Sequence, residues 1–362
     1  MSEPFAMMDG HEQVVFGNDV ASGLRCIVAI HATTLGPALG GTRMYPYDNE
    51  SEALSDVLRL SKGMSYKAAC AGLDLGGGKA VILGDPASDK SEALLRAYGQ
   101  IVQSLNGRYV TACDVGTYPV DMAVVARETD WATGADVLHG GSGDSGIMTA
   151  LGTYVGIKAA VEHLYGSADM RGRHVAIQGV GKVGRRVAEH LHADGCTIAV
   201  ADVNPEASAQ CVERFGATVV GVDDIHTVAA DVFSPNALGG VINAATVAQL
   251  QCPIVAGAAN NQLQTSADGE ALTQAGILYA PDYVINAGGL IQVADELDPT
   301  GFSQARVTER VNQIGPRLSA MFAEAKGEGI PTAAVADRMA ERRMATVGRL
   351  RGFYLPDRRP GT

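Results

Sequence analysis

No two cysteines in this 362-residue chain are spaced C-x-x-C. The six present (Cys26, Cys70, Cys113, Cys196, Cys211, Cys252) are scattered along its length. That dispersal argues against a disulfide framework and against a zinc site, so they read as free thiols of a reducing compartment. Aromatic residues are scarce, at 5% within a 46% hydrophobic total. This leaves an aliphatic core of the kind ordinary in soluble α/β proteins. No apolar run approaches the roughly 18 residues of a membrane span, and MSEPFAMMDG has no basic segment leading into an apolar one. Neither secretion nor membrane insertion is indicated, and the cytoplasm is the expected location. Positive charge is also short: 28 Lys and Arg against 40 Asp and Glu give a net charge of −12. Without a basic cluster, nucleic acid and anionic membrane are poor partners, and small molecules remain.

The length suits two domains, and the pattern changes near residue 140. Before it, strand-like runs (25–31, 79–83, 108–112) alternate with helical ones such as KSEALLRAYGQIVQSL, whose Leu94, Tyr98, Ile101 and Leu105 share a face. HGGSGDSG then reads as a hinge before a helix from Thr149 to about Tyr165. From His174 the order is strand, glycine turn, helix, strand, helix, the rhythm of right-handed βαβ units on a parallel sheet. The expected fold class is therefore α/β. It comprises an α/β substrate domain over 1–140 and a Rossmann-type doubly wound dinucleotide domain over 141–325. A helical segment over 326–362 returns to the first domain.

In the second domain, GVGKVG places Gly179, Gly181 and Gly184 between a strand and a helix, and Asp202 ends the next strand. The first glycine suits a tight turn, the second close approach of a pyrophosphate, and the third helix packing, while the acid suits a ribose 2′-hydroxyl. An acid there repels a 2′-phosphate, so NAD is expected over NADP. Val180, Lys182 and Val183 complete the turn, and Val203 follows the acid.

The stretch GLDLGGGKAVILGDP, residues 72–86, resembles a phosphate-binding loop but lacks its essentials. The required early glycine is Leu73, and the required hydroxyl after the lysine is Ala80. Gly76, Gly77 and Gly78 are instead expected to leave room for a substrate and a water beside Lys79. Lys67 on a preceding helix and Asp114 after the strand RYVTA are the other candidates for chemistry. On spacing alone, solvated lysines and a turn-forming aspartate are the commoner readings.

GPALGGTRM (36–44), LSKGMSYKAACAGLDLGGGKAVI (60–82), GRYVTACDVGT (107–117), GVGKVG, GAANNQL (257–263) and APDYVINAGGLIQVADE (280–296), in that order, resemble the Glu/Leu/Phe/Val amino acid dehydrogenase family. The likeness spans nearly the whole chain and is nearest to the leucine and valine branch. It implies that Lys67 holds the substrate α-carboxylate, that Lys79 is the catalytic base and that Asp114 shuttles protons at the amino group. It further implies that Leu39, Gly40, Gly77, Gly78, Ala112, Asn261, Leu290 and Val293 face substrate. Thr149, Ala237 and Asn260 join the turn residues at NAD. The implied reaction converts an L-amino acid and NAD+ to a 2-oxo acid, ammonium and NADH, in a homo-oligomer without a metal. Such chemistry needs a lysine whose pKa is lowered toward ~7–8, which desolvation and a second nearby cation promote.

Glutamate enzymes of the family carry a lysine at the position of Leu39 and a hydroxyl near that of Val293, so glutamate is expected to be a poor substrate. Leucine enzymes usually have valine where Leu290 stands. The larger residue favours valine as substrate, with leucine or phenylalanine dehydrogenase as alternatives. Residues 142–147 read SGDSGI where the family usually has SGNPSP, and Cys113 stands where leucine enzymes commonly carry glutamate. Cys113 is expected to face away from the chemistry. His190 and His192, two apart on a helix, splay too far for a shared metal. A silent NAD-binding sensor and a hydroxy-acid dehydrogenase, which would need a histidine base, are the rivals.

Overall fold

The computed structural model describes residues 4–351. Residues 352–362, the end of the expected C-terminal segment, lie outside the described residues. Contacts sort the chain into two units, Met1–Asp144 with Gln292–Ser303 and Met339–Thr362, and Ser145–Ile291 with Gln304–Arg338. Relative to the sequence reading, the first crossing falls at 144 instead of 140. The segment Gln292–Ser303 groups with the first unit, and the second unit runs on to Arg338.

The first unit is built on a mixed sheet of β1 (Gln13–Asp19), β2 (Leu24–Ala32), β3 (Ala38–Tyr45), β4 (Gly76–Leu83) and β5 (Tyr109–Cys113), in spatial order β1-β2-β4-β3-β5. β1 and β2 are antiparallel, as are β2 and β4, whereas β3 runs parallel to both β4 and β5. The helix Glu50–Cys70 starts at Asn49, whose side chain caps the Glu52 N–H. Its Ala53, Val57 and Leu58 recur at helical spacing and pack on Ile27, Ala29 and Val81 of the sheet. The helix Glu92–Ser104, capped by Ser91, lays Leu94, Tyr98 and Val102 on the opposite face against Val28, Ala80 and Ile82. With both faces covered, β4 reads as the uninterrupted run AVIL instead of alternating. Tyr66 Oη donates to Glu341 at 2.8 Å, and Arg343 donates to Asp74 at 2.8 Å and to the Gly72 oxygen at 3.4 Å, holding the end of the helix Thr332–Arg351 within this unit.

The second unit holds a fully parallel sheet of β6 (His174–Gln178), β7 (Thr197–Ala201), β8 (Thr218–Val219), β9 (Val232–Pro235), β10 (Ile254–Val255) and β11 (Leu278–Tyr279). Its order, β11-β10-β9-β6-β7-β8, reverses direction between β6 and β9. That reversal opens a crevice at the carboxyl ends of the two central strands, where doubly wound sheets take their ligands. Among the described residues, no helix is long and apolar enough to cross a membrane.

Candidate active site

Alternation along β4 sends Val81 toward the helix Glu50–Cys70 and Ala80 and Ile82 toward the other face. Lys79 therefore shares Val81's face, under the helix that carries Lys67. Only 7% of the Lys79 side chain is exposed, and its Nζ lies 2.8 Å from Asp114 Oδ2. The same oxygen accepts from Arg43 Nε at 3.1 Å, and Arg43 Nη1 reaches Asp56 on the helix at 2.7 Å. Tyr47 donates its hydroxyl to Asp56 at 2.7 Å, and Arg59 pairs with that carboxylate at 2.8 Å. Thr117 fixes the backbone of the aspartate, its Oγ1 accepting the Asp114 N–H at 2.9 Å. Burial pushes the Asp114 carboxyl up, but the neighbouring charges of Lys79 and Arg43 outweigh that and hold it below its usual value. Asp114 is thus a half-buried carboxylate with Oδ2 engaged by two cations. Its Oδ1 has no partner among the described residues.

The glycines before Lys79 do not leave the expected room. A Cβ on Gly77 would lie 2.0 Å from the Ser65 nitrogen, and one on Gly78 would lie 2.6 Å from the Tyr109 ring. Protein already fills both directions, helix backbone on one face and core aromatic on the other. Leu39 pairs with Gly77, and Ala112 with Gly41, whose missing Cβ would approach that of Asp114. Leu39, Gly77, Lys79, Ala112 and Asp114 consequently share the Lys67 face. The Cβ directions of Gly40 and Gly78 do not belong there, because a Cβ on Gly40 would strike the Gly78 carbonyl oxygen at 1.7 Å. Lys67 is half-buried, two residues beyond Ser65.

Between β6 and the helix Gly184–Ala193, Gly179 adopts φ +83°, and a Cβ on Gly184 would sit 1.9 Å from the Gly179 oxygen. Only glycine serves both positions. The Val180 N–H donates to Asp202 Oδ2 at 2.8 Å, and Asn204 N–H to Oδ1 at 2.8 Å. Asp202 therefore ties the turn to the end of β7 while remaining half-exposed. Gly181 and Lys182 are exposed, and Val183 is half-buried. Ala237 follows β9 beside Gly179, across the reversal of strand order. Asn236 anchors that strand end to the next motif by accepting the Ala258 N–H at 2.9 Å. Asn260 accepts from Asn286 at 2.8 Å, and Asn261, with φ +52°, offers its carbonyl to Gly240 at 2.7 Å. Thr149 Oγ1 caps back to the Ser145 oxygen at 3.0 Å and would meet a Cβ on Gly289, next to Leu290, at 2.6 Å. This strand, turn and helix fit a dinucleotide, with the turn N–H groups and Asp202 placed to hold it.

Leu290 is buried and Val293 half-buried on the helix Gly288–Asp295. Cys113 directs its thiol to the Gly134 oxygen at 3.4 Å, away from Lys79. His190 stacks on Tyr154 while His192 leans on Phe215, and no three metal-ligating side chains group together among the described residues. His31 bonds Ser65 Oγ at 2.8 Å, and burial, reinforced by His11, pushes its pKa down to about 4. Its bond to Ser65 leaves it outside the Lys79–Asp114 pair. His139 is tied to Asp136 at 2.6 Å.

Three residues escaped the sequence reading. Arg43 lies in the quoted GPALGGTRM, and counting two by two from Leu39 puts it on the Lys79 face. Glu296, at the end of the sixth motif, accepts the N–H groups of Gly134 and Ser142, each at 2.9 Å, and so fastens the segment around SGDSGI. Leu238 is 81% exposed three residues past β9, and Val203 is 88% exposed past β7, two bare apolar groups at the carboxyl edge of the sheet. Exposure of that kind has no signature in the sequence.

The model of the Glu/Leu/Phe/Val dehydrogenase dimerisation domain matches residues 11–131, and that of glutamate/leucine/phenylalanine/valine dehydrogenase matches 140–206 and 206–352. The chain belongs to the Glu/Leu/Phe/Val dehydrogenase family. It is 51% identical to leucine dehydrogenase of Geobacillus stearothermophilus over 95% of this chain and 94% of that one. It is 54% identical to valine dehydrogenase of Streptomyces albus over 93% of each. Among solved structures, L-tryptophan dehydrogenase from Nostoc punctiforme superposes with a TM-score of 0.83 at 44% identity, over 95% of this chain and 98% of that one.

Proposed function

We propose that this dehydrogenase oxidatively deaminates a branched-chain L-amino acid, valine before leucine and isoleucine, with NAD+, and runs the reverse reductive amination. The observation that carries the reading is the pairing of buried Lys79 with Asp114 on the sheet face covered by the helix of Lys67, in a chain about half identical to leucine and valine dehydrogenases. Lys67 holds the α-carboxylate. Asp114, already a carboxylate, takes a proton from the substrate ammonium so that the nitrogen lone pair can assist loss of hydride from Cα. When bound, the nicotinamide supplies the hydride acceptor. Lys79 gives its ammonium proton to solvent, and water then adds to the iminium carbon as its own proton passes to the resulting amine, giving a carbinolamine. Asp114 returns its proton to nitrogen, the C–N bond breaks, and the hydroxyl proton leaves with ammonia as ammonium beside the 2-oxo acid. Lys79 is left as the ammonium it began as, and the proton it gave to solvent is the one the reaction releases.

Leu39, Ala112 and Val293 offer the side chain of the substrate apolar surface. An ionised carboxylate placed among them would lose its hydration without gaining a partner, at a cost of several kcal/mol. Asp202 favours NAD over NADP, and Val203 and Leu238 offer apolar surface to the adenine. The protein works in the cytoplasm as a homo-oligomer. NAD+ reduction followed spectrophotometrically across a panel of L-amino acids tests the reading. The expected order of kcat/KM is valine, then leucine and isoleucine, with phenylalanine and glutamate far behind. No turnover with any amino acid would leave a silent NAD-binding protein. Glutamate or phenylalanine ahead of valine would overturn the apolar, short pocket.

A further inference from the structure

We infer that Arg43 is a positioning residue for the proton shuttle, holding Asp114 in one orientation and as a carboxylate; this rests on the role given to Asp114 above. Its guanidinium is divided between two acids, Nε on Asp114 at 3.1 Å and Nη1 on Asp56 at 2.7 Å. Asp114 directly follows β5 and Asp56 is on the helix of Lys67, so one planar group on β3 links the sheet to the helix that carries Lys67. Asp56 is itself immobilised by Tyr47 and Arg59. Both cations on Asp114 address the same oxygen, Oδ2. The carboxylate cannot rotate without breaking both bonds, and Oδ1 is the oxygen left for exchange with the substrate nitrogen. Lysine cannot reproduce this, because a single ammonium lacks the spread donors that span two carboxylates.

Removing an opposite charge at this distance raises a carboxyl pKa by roughly one unit or more. Fewer Asp114 groups are then ionised at a given low pH, and the acid limb of kcat/KM moves upward. For Arg43→Gln the expected result is an acid limb about one pH unit higher and kcat lowered on the order of tenfold at neutrality. NAD+ affinity, measured by fluorescence titration, stays unchanged. Arg43→Lys should return the acid limb to its wild-type position while kcat remains low, separating the charge from the fork. A folded Arg43→Gln with wild-type kcat and acid limb overturns the inference. Should Arg43→Gln fail to fold, Arg43→Lys decides, and wild-type kcat in that variant overturns it. Asp114→Asn is measured alongside: if it is inactive while Arg43→Gln is normal, only the role of Arg43 falls. If Asp114→Asn is fully active, the proton-shuttle reading falls and takes Arg43 with it.

Discussion

Replacing Gly77 with alanine distinguishes a glycine that makes room for substrate from one that makes room for a helix. The added Cβ would lie 2.0 Å from the Ser65 nitrogen, 2.3 Å from its Oγ and 2.5 Å from its Cα, against 3.4 Å or more in ordinary contact. Two of the three atoms are helix backbone and cannot rotate aside. The helix Glu50–Cys70 must therefore withdraw from β4 by roughly an ångström or more, and overpacking of this kind costs about 1–3 kcal/mol. For a folding unit the size of the first, each kcal/mol lowers Tm by roughly 2–4 °C. Lys67 is two residues beyond Ser65 and Lys79 two residues beyond Gly77, so the same movement parts the carboxylate anchor from the base. A misplacement of about 1 Å is worth on the order of a hundredfold in rate. Thermal unfolding and steady-state kinetics with valine should both change, with Tm lower, kcat/KM sharply lower and NAD+ affinity intact. If Tm were unchanged and KM alone rose, the space at Gly77 would belong to substrate and the helix-contact argument would be refuted.

Lys79→Ala should lower turnover about 10²–10⁴-fold while NAD+ still binds, since the glycine turn is in the other unit; near-normal activity across pH would remove Lys79 as the base. Asp202→Ala should relax the discrimination against NADP and also weaken NAD by about tenfold, because Val180 and Asn204 lose their acceptor. An unchanged NAD/NADP ratio of kcat/KM in that variant would leave Asp202 with the turn alone. Native alkylation with iodoacetamide at pH 8, read by peptide mass spectrometry, should modify half-exposed Cys113 first. Burial pushes the Cys26 and Cys196 thiols up to about 12 and that of Cys252 to about 11. Faster labelling of any of these three would contradict their burial.

The first half of the second unit was legible in sequence because its signals are local, whereas β8, β10 and β11, two residues each, and the four-residue β9 are too short to show a period. The helix after GVGKVG, the acid after TIAVA and the capped helix PEASAQCVERF are each fixed by neighbours within a few residues. The first unit hides two of its five strands. β1 is an edge strand with Phe16 exposed at 62%, so its alternation is blurred, and β3 contains GGTR, a poor strand former by propensity. Tertiary approach overrides that propensity. Gly40 and Gly41 are the residues that let the Gly78 and Cys113 backbones come close, and no pattern within β3 announces partners so distant in sequence.

The same distinction explains which parts of the site could be read. Lys79 and Asp114 stand in motifs and at strand ends, so sequence could nominate them. Whether they meet depends on register, and the register comes from β3. Leu39 opposite Gly77, with Gly41 opposite Ala112, sets β4 and β5 so that Lys79 and the residue after β5 reach the same face. A one-residue slip of β3 against either neighbour would turn Arg43 to the other face, away from both acids. Arg43 is therefore where the geometry of the first unit is recorded. Its bonds to Asp114 and Asp56 can form only in the observed register and with the helix seated at the distance Gly77 allows. Register and helix seating thus converge on one guanidinium, so a fold that passed the thermal test yet misplaced either element would still lose the fork on Asp114.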